Sequence, residues 1–449
     1  MKRHLLLAIL ILSFFASRMS FAQSDTTLHP KEKRKKGWVP SPLPVIGYDA
    51  DQGLQLGALC QLYDYGDGSI YPNYRHTIYA EVSFFTRGSA VFELFYDSKY
   101  LIPGNIRFTG DITYLPERAL DFYGFNGYEA NYDHSFEVQG SPDYISRVYY
   151  RCQRKLFRVL ADFQGPILGQ KLRWLAGVNF FDIRMSTVDI SKSNAGKKES
   201  NQLPDTALLW DNYVKYGLLN PAEANGGSLT FLKMGLVYDT RDNEPAPNRG
   251  IWSEVVVMAA PSFLGNSPYA FVKLSVTHRQ FFSLIKKYLV LAYRLNYQGT
   301  IGGTSPYYID PYMFSSWSLS TKTDGLGGAR TIRGILRDRV VGDGVALANL
   351  EVRWKFWRTH FLKQNICFGL VGFLDGGMVV QNRKVYSNLV PANLQSTYFN
   401  SSADRMHFAG GFGLRIADNE NFILTVDYGF PFNTQDGSSG LYVGIGHMF

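Results

Sequence analysis

Few residues in this chain have the type and spacing to do chemistry, and Arg333-Gly334 stands out among them. It closes a glycine-rich stretch, Thr321 to Gly334, that reads TKTDGLGGARTIRG. A guanidinium at the end of such a loop suits carboxylates, because its planar fork donates two parallel hydrogen bonds to one acid. Two acids follow in strand-like segments: Glu351 in NLEVR and Asp375 in FLDGG. A loop folded back against those segments would bring Arg333 to both. The glycines after Asp375 would leave room for the loop tip. The chemistry implied is a buried ion-pair lock, not bond making. The chain has 8 His but no G-x-S-x-G and no H-E-x-x-H. We therefore expect no catalytic residue, no metal and no cofactor, and read His278 and His447 as wall residues. Cys60, Cys152 and Cys367 lie far apart without a C-x-x-C spacing, which argues against a disulfide framework or a zinc site.

The elements that must hold such a lock are strands. Along 348–356, Ala348, Leu350, Val352, Trp354 and Phe356 alternate with Asn349, Glu351, Arg353 and Lys355. Along 271–279, Val272, Leu274 and Val276 alternate with Lys273, Ser275, Thr277 and Arg279. Period-two alternation marks a strand with one apolar and one polar face. Such strands recur about sixteen times from Leu43 to Phe449. Short connections alternate with long ones at about 116–143, 187–227, 301–344 and 383–403, less regularly in the first quarter. Charged residues make up only 19% and aromatics 15%, with 43 Gly. This profile predicts an all-β, membrane-spanning antiparallel barrel with an aqueous interior and the Arg-Gly loop inserted into its lumen.

Residues 1–22 have the form of a signal peptide: Lys2 and Arg3, an apolar run from Leu5, then Ser20-Phe21-Ala22. Residues 23–41 read as a basic periplasmic lead and 42–449 as the barrel. The first 22 residues hold three cations and no acid, and 23–36 hold five cations against two acids. The remaining chain is nearly neutral, which speaks against a nucleic-acid surface. The terminal run Leu441 to Phe449 is expected to pair with the first strand and close the barrel. Gly444, Gly446 and Phe449 would then form a weakly packed seam.

One more segment completes the pattern. Asp239-Thr240-Arg241-Asp242-Asn243, followed by Pro247 and Gly250, reads as a charged turn between two strands. DTRDNEPAPNRG, LGGARTIRGI, NLEVR, FLDGG and the run from Leu424 through Asp427 and Gly429 to Pro431 together resemble the barrel of the BamA/TamA type, the bacterial surface antigen family. The similarity covers roughly 228–449. It implies an outer-membrane barrel that acts by conformation in membrane-protein insertion or transport. Its partners would be outer-membrane lipid and nascent outer-membrane proteins or a periplasmic protein. By the same resemblance Arg333, Gly334, Glu351 and Asp375 carry over as the loop lock, and Asp239, Arg241, Asp242, Asn243 and Gly250 as the turn. The chain departs from the family's usual pattern in having no room for POTRA domains before the barrel. A passive or plugged pore is the competing expectation.

Overall fold

A computed structural model describes residues 35–49, 53–71, 74–266, 268–316, 325–361, 364–418 and 422–449. The expected signal peptide, most of the lead and Thr321 to Asp324 of the glycine-rich loop lie outside these residues. Sixteen strands follow in order: β1 (Trp38–Asp49), β2 (Gly53–Asp64), β3 (His76–Phe85), β4 (Ala90–Ile102), β5 (Ile106–Asp121), β6 (Arg151–Leu168), β7 (Leu172–Ser186) and β8 (Gly226–Asp239). The second half comprises β9 (Gly250–Ala260), β10 (Phe271–Ile285), β11 (Leu289–Gly303), β12 (Gly344–Phe361), β13 (Gln364–Gln381), β14 (His407–Asp418), β15 (Phe422–Pro431) and β16 (Gly440–Ile445). Each pairs antiparallel with its sequence neighbours, and β1 meets β16, so the sheet is a closed barrel. Closure leaves no fully open edge, the condition for a sheet to sit in hydrocarbon.

The alternation in sequence becomes an inside and an outside. On β12, Asn349, Glu351 and Arg353 are buried in the lumen, whereas Leu350 and Val352 are each 41% exposed on the outer surface. On β10, Lys273, Ser275 and Thr277 point inward and Val276 outward. The interior is therefore polar and the outer wall apolar. Among the described residues no helix is long and apolar enough to cross a membrane.

The first strand begins earlier than sequence suggests. Residues 38–41, assigned above to the flexible lead, are part of β1 and pair with β2 from Trp38↔Asp64 onward. The prolines at 40 and 42 masked this strand, since proline is excluded from strands paired on both sides. Here β1 is paired along its length on one side only. Residues 144–150 also differ: they belong to the outer connection, and β6 starts at Arg151.

Among the described residues, three apolar clusters fill space inside the wall, the smallest joining Phe281, Val290, Ala292 and Phe449. The largest lies beneath the long connections of one rim and joins Phe122, Tyr150, Tyr213, Tyr307 and Tyr398 with many others. The third packs Leu326, Ile332, Ile335 and Val340 of the 304–343 connection against Val345, Leu347, Val379 and Ala409 of the wall. Packing of this kind, rather than backbone pairing, is what draws the loop inside.

Candidate functional site

The described part of the connection between β11 and β12 enters the lumen, and its Arg333 is fully buried. The side chains of Arg333, Glu351 and Asp375 have no exposed surface. Arg333 grips Asp375 with both arms of its fork, Nε to Oδ2 at 2.9 Å and Nη2 to Oδ1 at 3.1 Å. Its backbone N–H donates to the same carboxylate at 3.2 Å. Nη1 lies 2.7 Å from Oε1 of Glu351, an ion pair without the alignment of a hydrogen bond. The guanidinium also sits 3.5 Å from the centre of the Phe373 ring, and cations favour such a face. Acids and a π-cloud thus surround this buried charge. A buried charge is tolerable only under that condition.

Sequence reading placed Arg333, Glu351 and Asp375 in one cluster but overlooked several members of it. Asp427 on β15 accepts from Nη1 of Arg333 at 3.3 Å and is held by Arg415 at 2.6 and 3.0 Å. Asn349 donates to Asp375 at 2.8 Å and to the Thr331 carbonyl at 2.7 Å, while Arg294 donates to it at 2.7 Å. Asp427 and Gly429 stood in the run that resembled the family's penultimate strand, but were not placed in this cluster. Asp427-Tyr-Gly429 repeats the motif of a carboxylate near a glycine seen at Asp375-Gly376-Gly377, and that repeat was the available signal.

Gly334 has φ +96°, and a Cβ there would lie 2.5 Å from the carbonyl carbon of Gly429. A Cβ on Gly429 would in turn lie 2.6 Å from the Arg333 carbonyl oxygen. The loop backbone and β15 thus touch directly, at a spacing no other residue type permits. Gly377 gives similar access to Leu326, and Gly376 faces the other way, toward Phe408. The Gly334 N–H donates to the Tyr442 hydroxyl on β16 at 3.2 Å, so the lock reaches the last strand.

The charged turn sits on the opposite rim, bonded within itself and to the wall, where Arg107 reaches Glu244 at 3.0 Å and Lys355 donates to Asn248 at 2.7 Å. Asp239 receives Arg241 at 2.8 and 2.9 Å. Asp242 accepts from the Asn248 N–H, and Asn243 from the Ala246 N–H. Gly250 has φ +108° where β9 restarts. Arg241 and Arg279 flank the Trp252 ring. No bond links this turn to the Arg333 cluster among the described residues.

The seam residues divide. Gly444 lies in β16 opposite Thr425. Gly446 takes φ +82°, and there the strand ends. Phe449 does not lie on a strand that pairs with β1, contrary to the sequence expectation. The turn at Gly446 sends residues 447–449 into the lumen, where the Phe449 ring sits beside Arg353 and Arg294, with its centre 5.1 and 5.3 Å away. Arg353 donates to the Phe449 carbonyl at 2.8 Å. Buried cations and an apolar cluster with Phe281, Val290 and Ala292, rather than pairing to β1, surround this end.

That leaves the contact between β1 and β16 short. Among the described residues it consists of two pairs, Tyr48↔Val443 and Asp49↔Tyr442. By comparison, β1 pairs with β2 from Trp38 to Asp49.

A second buried polar cluster lies toward the rim of the long connections. His407 faces Asp436 through Nδ1 at 2.7 Å and Asp404 through Nε2 at 2.9 Å. Both ring nitrogens thus lie within hydrogen-bond reach of a carboxyl group. The Tyr128 ring stacks on the imidazole at 3.8 Å, and its hydroxyl donates to Asp436 at 2.5 Å. His278, by contrast, lies on the outer wall with Ser253 and Tyr293. The three cysteines are free.

Residues 130–449 match the model of the Omp85 superfamily domain. The chain belongs to the Omp85 superfamily. Among solved structures it is similar to BamA from Haemophilus ducreyi lacking POTRA domains 1–3, with a TM-score of 0.51 at 12% identity. That match covers 92% of this chain and 70% of that one. CdiB from Escherichia coli gives a TM-score of 0.54 at 12% identity, over 92% of this chain and 63% of that one. The chain therefore spans less than two thirds of the length of CdiB. At such identity the likeness speaks for the fold, a closed sixteen-strand barrel. No curated relative matches the chain.

Proposed function

We propose that this Omp85 barrel resides in the bacterial outer membrane and works as a conformational gate in the insertion or export of client proteins, with no reaction chemistry of its own. The observation that carries this reading is the seam. Among the described residues, two pairs hold β1 to β16, while six hold β15 to β16. Strand separation costs hydrogen bonds roughly in proportion to the number broken, so the wall opens there at lowest cost. An opened seam offers a strand edge to an extended client segment. In this reading the Arg333 cluster ties the lumenal loop to β12, β13 and β15 and keeps the rest of the cylinder rigid while the seam moves.

A plugged structural barrel is the second reading, favoured by the loop that fills the lumen. One experiment separates the two. Tyr48→Cys with Val443→Cys, in a cysteine-free background, closes the seam under oxidation. Gating predicts that assembly or export of client barrels stops in the oxidised protein and recovers on reduction. Unchanged client assembly with the disulfide formed would sink the gate and leave the plugged barrel.

A further inference from the structure

The proposed gate has two edges, and the structure makes them unequal. In an antiparallel ladder each residue turns its N–H and C=O together toward one neighbour, and the next residue turns them toward the other. β1 pairs with β2 from Trp38 to Asp49 without a register break, yet residues 40, 42 and 44 are proline. Proline has no N–H and cannot complete a paired bond to β2. The odd-numbered residues of β1 therefore serve β2, and Trp38, Pro40, Pro42, Pro44, Ile46 and Tyr48 face the seam. The same parity follows from two backbone bonds: Tyr65 N–H donates to the Gly37 carbonyl on the β2 side of β1, and Gly446 N–H donates to Ile423 on β15, which leaves Val443 to face Tyr48. Of the seam-facing positions from 38 to 46, three of five thus lack a donor.

The facing edge is intact. With Val443 opposite Tyr48, the seam-facing residues of β16 are Leu441, Val443 and Ile445, and all carry an N–H. Their outer surface is apolar: Leu441 and Ile445 are both 41% exposed. A strand added to β1 below Ile46 would leave its own carbonyls opposite the prolines without donors. In hydrocarbon an unmet carbonyl is disfavoured far more than in water. A strand added to β16 would meet a donor at each of these three positions.

We infer that Pro40, Pro42 and Pro44 cap the β1 edge against strand addition, so that an extended client segment entering the seam pairs with β16. Prolines on a free edge are a known protection against unwanted pairing; here they also set the side on which a client docks. The inference rests on the gate reading, but the edge chemistry can be tested apart from it.

The probe is a ten-residue peptide of alternating valine and threonine with one cysteine, offered to the full chain in detergent micelles. Single cysteines are placed at Leu43→Cys on β1 or Leu441→Cys on β16, in a cysteine-free background. Heat-modifiable migration on a gel confirms the folded barrel in each case. The expected result is disulfide capture at position 441 at least tenfold above that at 43. Adding Pro40→Thr, Pro42→Thr and Pro44→Thr should raise capture at 43 to near the level at 441. Equal capture at both sites in the parent, or no gain at 43 in the folded triple variant, overturns the cap. Capture at neither site in the parent, with gain at 43 in the triple variant, keeps the cap and removes the client-docking role of β16.

Discussion

Gly334 and Gly429 meet backbone to backbone inside the barrel: a side-chain carbon on either would overlap the other's main chain. The contact joins the lumenal loop to the penultimate strand, two positions from Asp427, an acid of the Arg333 cluster. It lets the guanidinium sit low enough to reach three carboxylates at once. Loop position and charge pairing are therefore one arrangement, and each can be tested through the other.

Gly334→Ala should undock the loop more than it unfolds the barrel. A residue forced into the left-handed region costs about 1–3 kcal/mol, and the 2.5 Å approach adds to that. Protease cleavage within 325–343 should rise at least tenfold, with gel heat-modifiability retained. Gly429→Ala should do the same even though it lies outside the loop. Unchanged cleavage in both would show that the close approach does not hold the loop.

Arg333→Ala should behave differently. Removing one partner of a buried ion pair costs about 3–5 kcal/mol, because Glu351, Asp375 and Asp427 would be left facing one another. Planar-bilayer conductance is expected to jump as the loop leaves the lumen. Arg333→Lys keeps the charge but loses the fork, so it should fall between the parent and Arg333→Ala. Equal conductance in all three would mean the loop stays in place without the lock.

Phe449→Ala removes the ring that Arg294 and Arg353 flank. Truncating a buried Phe costs about 3–5 kcal/mol, here against the local hold on residues 446–449. Hydrogen exchange at 445–448 should quicken by two orders of magnitude or more, with β12 unchanged. Parent-like exchange there would refute the lumenal anchor.

His407→Gln cannot bridge Asp404 and Asp436 as the two ring nitrogens do. The expected outcome is faster proteolysis in 126–130 and 433–437, which the imidazole joins through Tyr128 and Asp436. An unaltered cleavage pattern would place the hold on these segments in Arg339 instead. Arg339 donates to the carbonyls of Gly127 and Ala130.

The connection 122–150 should depend on pH through Glu137. Burial pushes its carboxyl up to about 7, against smaller opposing effects of a Tyr132 hydrogen bond and of Arg87. The folded segment thus holds its proton where the unfolded chain has lost it. Its folding is favoured most below about pH 4.5, the ordinary value, and that advantage fades as pH rises to about 7. Cleavage in this segment should be faster at pH 8 than at pH 5 after correction for protease activity, and Glu137→Gln should flatten the difference. A parent profile as flat as that of Glu137→Gln would refute the assignment.

Period-two alternation in β10 and β12 was enough to reveal strands, a polar interior and an apolar exterior, because a side chain's face follows directly from its position in a pleated strand. The Arg333, Glu351 and Asp375 set was legible for a similar reason: a guanidinium near glycines implies carboxylates, and two stood in adjacent strands. What the sequence could not supply was distance across the cylinder. Asp427, Gly429 and Tyr442 lie 94 or more residues after Arg333 and join it only because β15 and β16 come round the barrel to face the loop. The inward turn at Gly446 and the brevity of the β1–β16 contact were likewise decided in three dimensions. A terminal run that alternates like a strand pairs only as far as its backbone stays beside a partner, and here the last residues lie instead against Arg294, Arg353 and Phe281.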